Sequence, residues 1–295
     1  MSRNPILTQK AFDGVASEQS PADEWQNAQH MRATSTATSA GIDAAMANQP
    51  MAPAAAGSRV MTLGGVAAAT AIMFAVLLAT AAWGWSLISV SETFDPVTGA
   101  ATYTAEGSPW GYVMVAAIVA FVAAIVTSFK PKLARFTSLI YAAAQGVVLG
   151  VVSHMYDLQF NGIVVQAVLG TLGVFVVMLV LFGLRVLRAT PRFTKGVIAA
   201  TFGVMFIYLI GFVMSLFGVD LGFWGTSGSP LGIIISVVVC IVAALNLILD
   251  FEFIEQGTKQ GLPAYMDWYA GFGLMVTLVW LYLEMLRLLA RLQSR

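Results

Sequence analysis

An all-α membrane protein, a bundle of seven transmembrane helices, is the fold class predicted here, and three observations lead to it. The 295-residue chain is 58% hydrophobic and only 10% charged, with mean hydropathy +0.81, whereas a soluble domain carries about a quarter charged residues. Its apolar residues gather into seven runs, each long enough to cross a bilayer. The connections between those runs alternate between acidic and basic. The formal net charge of +0 gives no reason to expect a nucleic-acid partner. One cysteine, Cys240, and two histidines, His30 and His154, exclude a disulfide framework and a zinc cluster. They also leave too few histidines within the membrane for bis-histidine haem ligation.

Residues 1–58 are polar, rich in Ala, Ser, Thr and Gln, and without a sustained apolar period. Such a segment cannot bury enough surface to offset chain entropy and is predicted to be a disordered tail, with short amphipathic stretches around Pro5–Phe12 and Trp25–Met31. The membrane domain occupies residues 59–295. No signal peptide is visible before it, and the first span is expected to serve as its own insertion signal. The predicted spans are Met61–Trp85, Trp110–Phe129, Phe136–Tyr156, Ile163–Leu187, Gly196–Phe217, Leu231–Leu249 and Trp268–Leu289. Runs of about 19–25 residues match ~30 Å of hydrocarbon when helical. Helices satisfy their own backbone in lipid, which isolated strands do not.

Orientation follows from charge. The connections after spans 1, 3 and 5 hold Glu92, Asp95, Glu106, Asp157 and Asp220 and no basic residue. Those after spans 2, 4 and 6 hold Lys130, Lys132, Arg185, Arg188, Arg192 and Lys259, with Arg135 and Lys195 just beyond and Arg59 before span 1. The positive-inside rule then places the N-terminus in the cytoplasm. Trp83, Trp85, Trp110 and Trp224 fall near outer boundaries and Trp268 near an inner one, as aromatic anchors do. Arg287, Arg291 and Arg295 conflict with this scheme, because seven crossings leave them outside. A re-entrant sixth segment would remove the conflict, but both last segments are long enough to span.

Span 6 ends in Asn246-Leu-Ile-Leu-Asp250 and runs on through Glu252 and Glu255. Asn246 and Asp250 lie four apart, on one helix face expected to look into the bundle. Asp250 falls about a turn inside the boundary, where an acid must face water, pair or take up a proton. Glu252 and Glu255 lie at or beyond that boundary and also read as ordinary interfacial acids. All three sit near a helix C-terminus, where the macrodipole disfavours acids. Gly257 is expected to end this helix and Pro263 to begin the next. Asp267 then falls in the first turn of span 7, near the depth of Asp250, so the two carboxylates could share a proton or hold a hard cation such as calcium. The simpler reading of Asp267 is a partner of its own helix N-terminus. Glu284 lies some 25 Å further along span 7; it is expected to pair with Arg287 at the interface or to mark an outer ion entry. Gln145 is an amide in mid-span 3, able to hydrogen-bond across helices. On the same span a small-residue stripe, Ala142, Gly146 and Gly150, runs toward His154, which is expected to be solvated at the interface.

Three stretches resemble the Bax inhibitor family (the transmembrane Bax inhibitor motif proteins), in its bacterial branch. They are Tyr141-Ala-Ala-Ala-Gln-Gly-Val-Val-Leu-Gly-Val-Val-Ser153, Ala244-Leu-Asn-Leu-Ile-Leu-Asp-Phe-Glu-Phe-Ile-Glu255, and Asp267-Trp-Tyr-Ala-Gly-Phe-Gly-Leu-Met-Val-Thr-Leu-Val-Trp-Leu-Tyr-Leu-Glu-Met-Leu-Arg287. The opening Asn4-Pro-Ile-Leu is similar to one subgroup. The resemblance implies seven helices with the last one central, a bacterial plasma membrane location, and a pH-sensitive calcium leak. It also implies a sensor of two aspartates on helices six and seven. Asp250 matches the first; the second falls near Met275, where this chain has no acid. Gln145 stands where the family usually has Glu.

The function expected from the sequence is therefore a cation leak, with calcium as permeant or bound ion, gated by protonation near Asp250. Asn246, Glu252, Glu255, Asp267, Glu284 and Gln145 are its candidate sensor and pathway residues, and Asp250 with Asp267 its candidate metal ligands. The alternative is a non-conducting protein that modulates membrane proteases or stress responses, meeting other membrane proteins through its N-terminal tail. No enzyme is expected. Ser153 and His154 face different directions, a di-aspartyl site lacks its second acid, and span 7 has no lysine for a retinal Schiff base.

Overall fold

The computed structural model describes residues 59–94, 101–106, 110–218 and 229–294. The expectations for the tail, and for Asp95, Asp220, Trp224 and Arg295, lie outside the described residues. Seven helices are long and apolar enough to cross a membrane. They are α1 (Leu63–Ser86), α2 (Trp110–Phe129), α3 (Ala134–Gln159), α4 (Ile163–Gly183), α5 (Pro191–Leu216), α6 (Pro230–Lys259) and α7 (Tyr265–Gln293). A single 3₁₀ turn, Pro131–Leu133, leads into α3. We call the end at which α1 begins proximal and the opposite end distal.

The sequence explains most helix starts. Thr62, Thr190 and Ser229 each cap a helix through their hydroxyl oxygens, and Pro191 and Pro230 follow as first helical residues. Two expected boundaries shift. The sixth helix continues past Leu249 to Lys259, so Gly257 is a buried helical residue; the left-handed turn falls on Gly261, with φ 63°. Pro263 does not open α7, because it pairs with Val60 as a β-bridge. The connection after α1, expected as a plain loop, holds two antiparallel strands, β1 (Ser89–Phe94) and β2 (Ala101–Glu106), with Glu92 opposite Tyr103. Thr- and Ser-rich alternation on either side of Asp95-Pro-Val-Thr-Gly99 is the signal for it.

Helix α7 packs against α1, α3, α4 and α6. One of its faces gives Leu274, Leu278 and Leu281 to a core shared with Leu247, Ile248 and Phe251 of α6 and Met178 of α4. Another gives Phe272, Met275 and Val279 to a core shared with Met73 and Leu77 of α1 and Tyr141 of α3. A third face carries Glu284, Arg287 and Arg291. The helix is thus committed on most of its circumference, and its charged residues can only lie among neighbours.

Helices α1 and α3 meet at backbone distance. A Cβ added at Gly84 would stand 2.6 Å from the Val147 carbonyl oxygen, and one at Gly150 would meet the Ala81 carbonyl and lie 2.8 Å from the Trp85 nitrogen. Only glycine permits this approach, which is the role the small-residue stripe predicted. At the distal end of the pair, the His154 ring stacks on Trp85 at 4.4 Å and 5°, and its Nδ1 lies 2.9 Å from the Trp85 carbonyl. The histidine is half-buried rather than solvated.

Gly150→Leu is expected to lower stability by roughly 1–3 kcal/mol, the usual range for overpacking, seen as a lower unfolding midpoint in detergent. Gly173→Ala, which would meet nothing within 4 Å, is the control. An unchanged midpoint for Gly150→Leu would contradict the close approach.

Candidate functional site

The acids of α6 separate into two environments. Glu252 accepts from Gln256 Nε2 at 2.7 Å, and Glu255 pairs with Lys259 and, at 3.7 Å, with Arg185. The Glu252–Gln256 and Glu255–Lys259 contacts are i,i+4 surface pairs that prolong the helix beyond its apolar run. Asp250 is different. Its Oδ2 is sealed from solvent and has no hydrogen-bond partner among the described residues. The Thr277 hydroxyl lies beside the carboxyl, and Oδ1 faces Gly273, where a Cβ would stand 3.6 Å away. The residues of α7 that meet Asp250 thus flank Met275, the position at which the resemblance placed a second aspartate. Met275 itself is fully buried in the core toward α1 and α3.

The expected pairing of Asp250 with Asp267 is not formed. Asp267 Oδ1 accepts from the Thr62 backbone N–H at 3.0 Å, holding the start of α1, where the helix dipole favours an acid. Gly273 lies six residues beyond Asp267, about 9 Å along α7. Asp267 is thus committed to Thr62 rather than to Asp250, and among the described residues no three His, Cys, Asp or Glu side chains converge on a metal position. Around Asp267 the Val60 and Pro263 bridge is reinforced by Met61 N–H to the Leu262 carbonyl, 2.6 Å, and Ala264 N–H to the Arg59 carbonyl, 2.8 Å.

Asn246 and Asp250 share a face by spacing but serve different neighbours. Asn246 Nδ2 donates to Thr201 Oγ1 of α5 at 2.8 Å, while Asp250 turns to α7. Helix α6 lies between the two, and a helix face is wide enough to touch both. Gln145 is half-buried on α3 and makes no hydrogen bond among the described residues.

At the distal end is a cluster the sequence only half disclosed. Glu284 is 2% exposed, not interfacial. It accepts from Arg287 Nη1 at 2.9 Å and from Tyr208 of α5, whose hydroxyl lies 2.7 Å from both carboxylate oxygens. Arg287 also donates to the Tyr208 oxygen at 2.6 Å, with its guanidinium 5.0 Å from the ring centre. Arg291, 1% exposed, donates to the Gly232 carbonyl and Ser236 Oγ of α6, each at 2.5 Å. Two of the three arginines that opposed the positive-inside rule, Arg287 and Arg291, are therefore consumed inside the bundle. Tyr208, Thr201, Ser236 and Thr277 escaped sequence reading. Thr201 and Tyr208, seven apart in an otherwise apolar run, were the available signal.

Seven membrane-spanning helices enclosing a sealed acid define an integral membrane protein whose polar interior lies along its last three helices. A family model described as Bax inhibitor 1 like matches residues 4–294, nearly the whole chain, and the protein belongs to that family. No curated protein and no solved structure matches it.

Removing one partner of a buried pair leaves a bare charge, typically at a cost of roughly 3–5 kcal/mol. Arg287→Gln should approach that loss in a detergent unfolding assay, and adding Glu284→Gln should recover part of it. If the double variant were less stable than Arg287→Gln, the direct coupling of these two side chains would be refuted.

Proposed function

We propose that this protein is a cation leak of the bacterial plasma membrane, with calcium the favoured ion, and that the protonation state of Asp250 governs it. One observation carries this reading: a carboxyl oxygen sealed between α6 and α7 with no hydrogen-bond donor on it. An ionised acid in that position can be relieved by a proton, by an approaching cation, or by movement toward a partner. Each route couples ionic conditions to the packing of α6 on α7. Family membership supports a membrane protein of this kind. The basic connections at the proximal end favour a cytoplasmic N-terminus.

A second reading, a non-conducting regulator of other membrane proteins, draws on the clasp between residues 59–62 and the α6–α7 connection. Through it, a partner bound before Arg59 would act on the helix pair that holds Asp250.

The full-length protein in liposomes loaded with calcium dye separates the two. Flux should vary with pH, and Asp250→Asn should flatten that variation at least about tenfold, the effect of removing a group worth about 1.4 kcal/mol to gating. Absence of flux at every pH, or an unaltered profile in Asp250→Asn, would defeat the leak reading.

A further inference from the structure

Polar side chains where α5 meets the α6–α7 pair fall into two groups. Proximally stands the Asn246–Thr201 hydrogen bond, with Asp250 and Thr277 beyond it between α6 and α7. Distally stand Tyr208, Glu284 and Arg287. Between the groups lie Val204, Val239 and Val242, all buried, with half-buried Trp280 against them. The spacing makes this a layer. Thr201, Val204 and Tyr208 recur at intervals of three and four on α5, as Thr277, Trp280 and Glu284 do on α7. Each helix turns one face to the seam, and the middle member of each set is apolar. Thr277 and Glu284 are seven residues apart, about 10 Å along the axis. An apolar constriction of that length excludes water and stops ions without any charged plug.

The helix able to open the seam is α5. It is the least buried of the seven spans, at 17%. Phe202, Met205, Phe206 and Leu209 all face outward, and it packs chiefly on α6. Its side-chain hydrogen bonds to the other helices, Thr201 to Asn246 and Tyr208 to Glu284 and Arg287, lie above and below the valine layer. A Cβ added at Gly196 or Gly203 of α5 would meet nothing within 4 Å, unlike one at the glycines of α3 that face α1.

We infer that the seam between α5 and the α6–α7 pair is the route across the membrane, and that Val204, Val239, Val242 and Trp280 are its closed constriction, released when α5 tilts away from α6. The inference rests on the leak reading for what passes, but the route can be tested apart from it. Threonine matches valine in shape and adds a hydroxyl that can meet water. In liposomes, Val239→Thr and Val242→Thr should each raise calcium flux about tenfold, because a hydroxyl replaces a contact that offered an ion nothing. Val238→Thr and Ile241→Thr, outward-facing at the same depth (50% and 54% exposed), should leave flux unchanged. Equal increases in all four would overturn the inference, and so would no increase in the first two together with no change in the labelling described next.

The second measurement needs no flux. In a Cys240→Ser background, Val204→Cys should react about tenfold faster with a small cationic methanethiosulfonate once Val242→Thr is added, since thiolate chemistry requires water. Ile207→Cys, facing outward, should show no such change. If labelling rises while every variant fails to pass calcium, the seam stands and the calcium reading falls. If flux rises while labelling stays flat, the ion travels elsewhere and the seam is wrong.

Discussion

The fold turns on one electrostatic constraint: an ion buried in a membrane-spanning bundle must bring its own partners. Glu284 meets it, with a guanidinium and a phenol on its two oxygens. Arg291 meets it through a carbonyl and a hydroxyl of α6. Asp250 meets it on one side only. The same three helices therefore hold a satisfied acid at one end and an unsatisfied one at the other, on helix surfaces that are otherwise apolar. Charge is compensated on both oxygens at the distal acid and left uncompensated on one oxygen at the proximal acid.

The helices carry unequal mechanical duties. Helices α1 and α3 are locked by glycines that place backbone against backbone, and α7 is held on opposing faces by two cores. Helix α5 has one narrow inward stripe and a broad outward surface. Rigid and compliant parts are thus separated by helix, not mixed along each one. The polar seam lies where they meet.

The seven helices were legible in the sequence because length and hydropathy alone decide what can cross a bilayer. The end of the sixth was not, since acids interrupt an apolar run without interrupting a helix: Glu252–Gln256 and Glu255–Lys259 continue it outside the hydrocarbon. Asp250 stood out as an acid in an apolar context, but its direction depended on which neighbour of α6 lay nearer. Asp267, whose simpler reading was a partner of a helix N-terminus, holds the start of α1 and not Asp250, because similar depth does not place two side chains in one crevice. The arginines of α7 misled for a related reason. The positive-inside rule weighs free charges, and Arg287 and Arg291 are spent on Glu284, Tyr208 and α6.

The clasp at the proximal end bears on how the molecule is made. The first turn of α1 is fixed by the carboxylate of Asp267, 205 residues later in the chain, and by backbone bonds to the same connection. A ribosome releases those two segments at opposite ends of synthesis, and closing so long a loop carries a lasting entropic penalty. Helix α1 can meet α3 earlier, through their glycines, but its first turn must wait until α7 arrives. Arrival of α7, rather than entry of the first span, is the step that closes the proximal clasp.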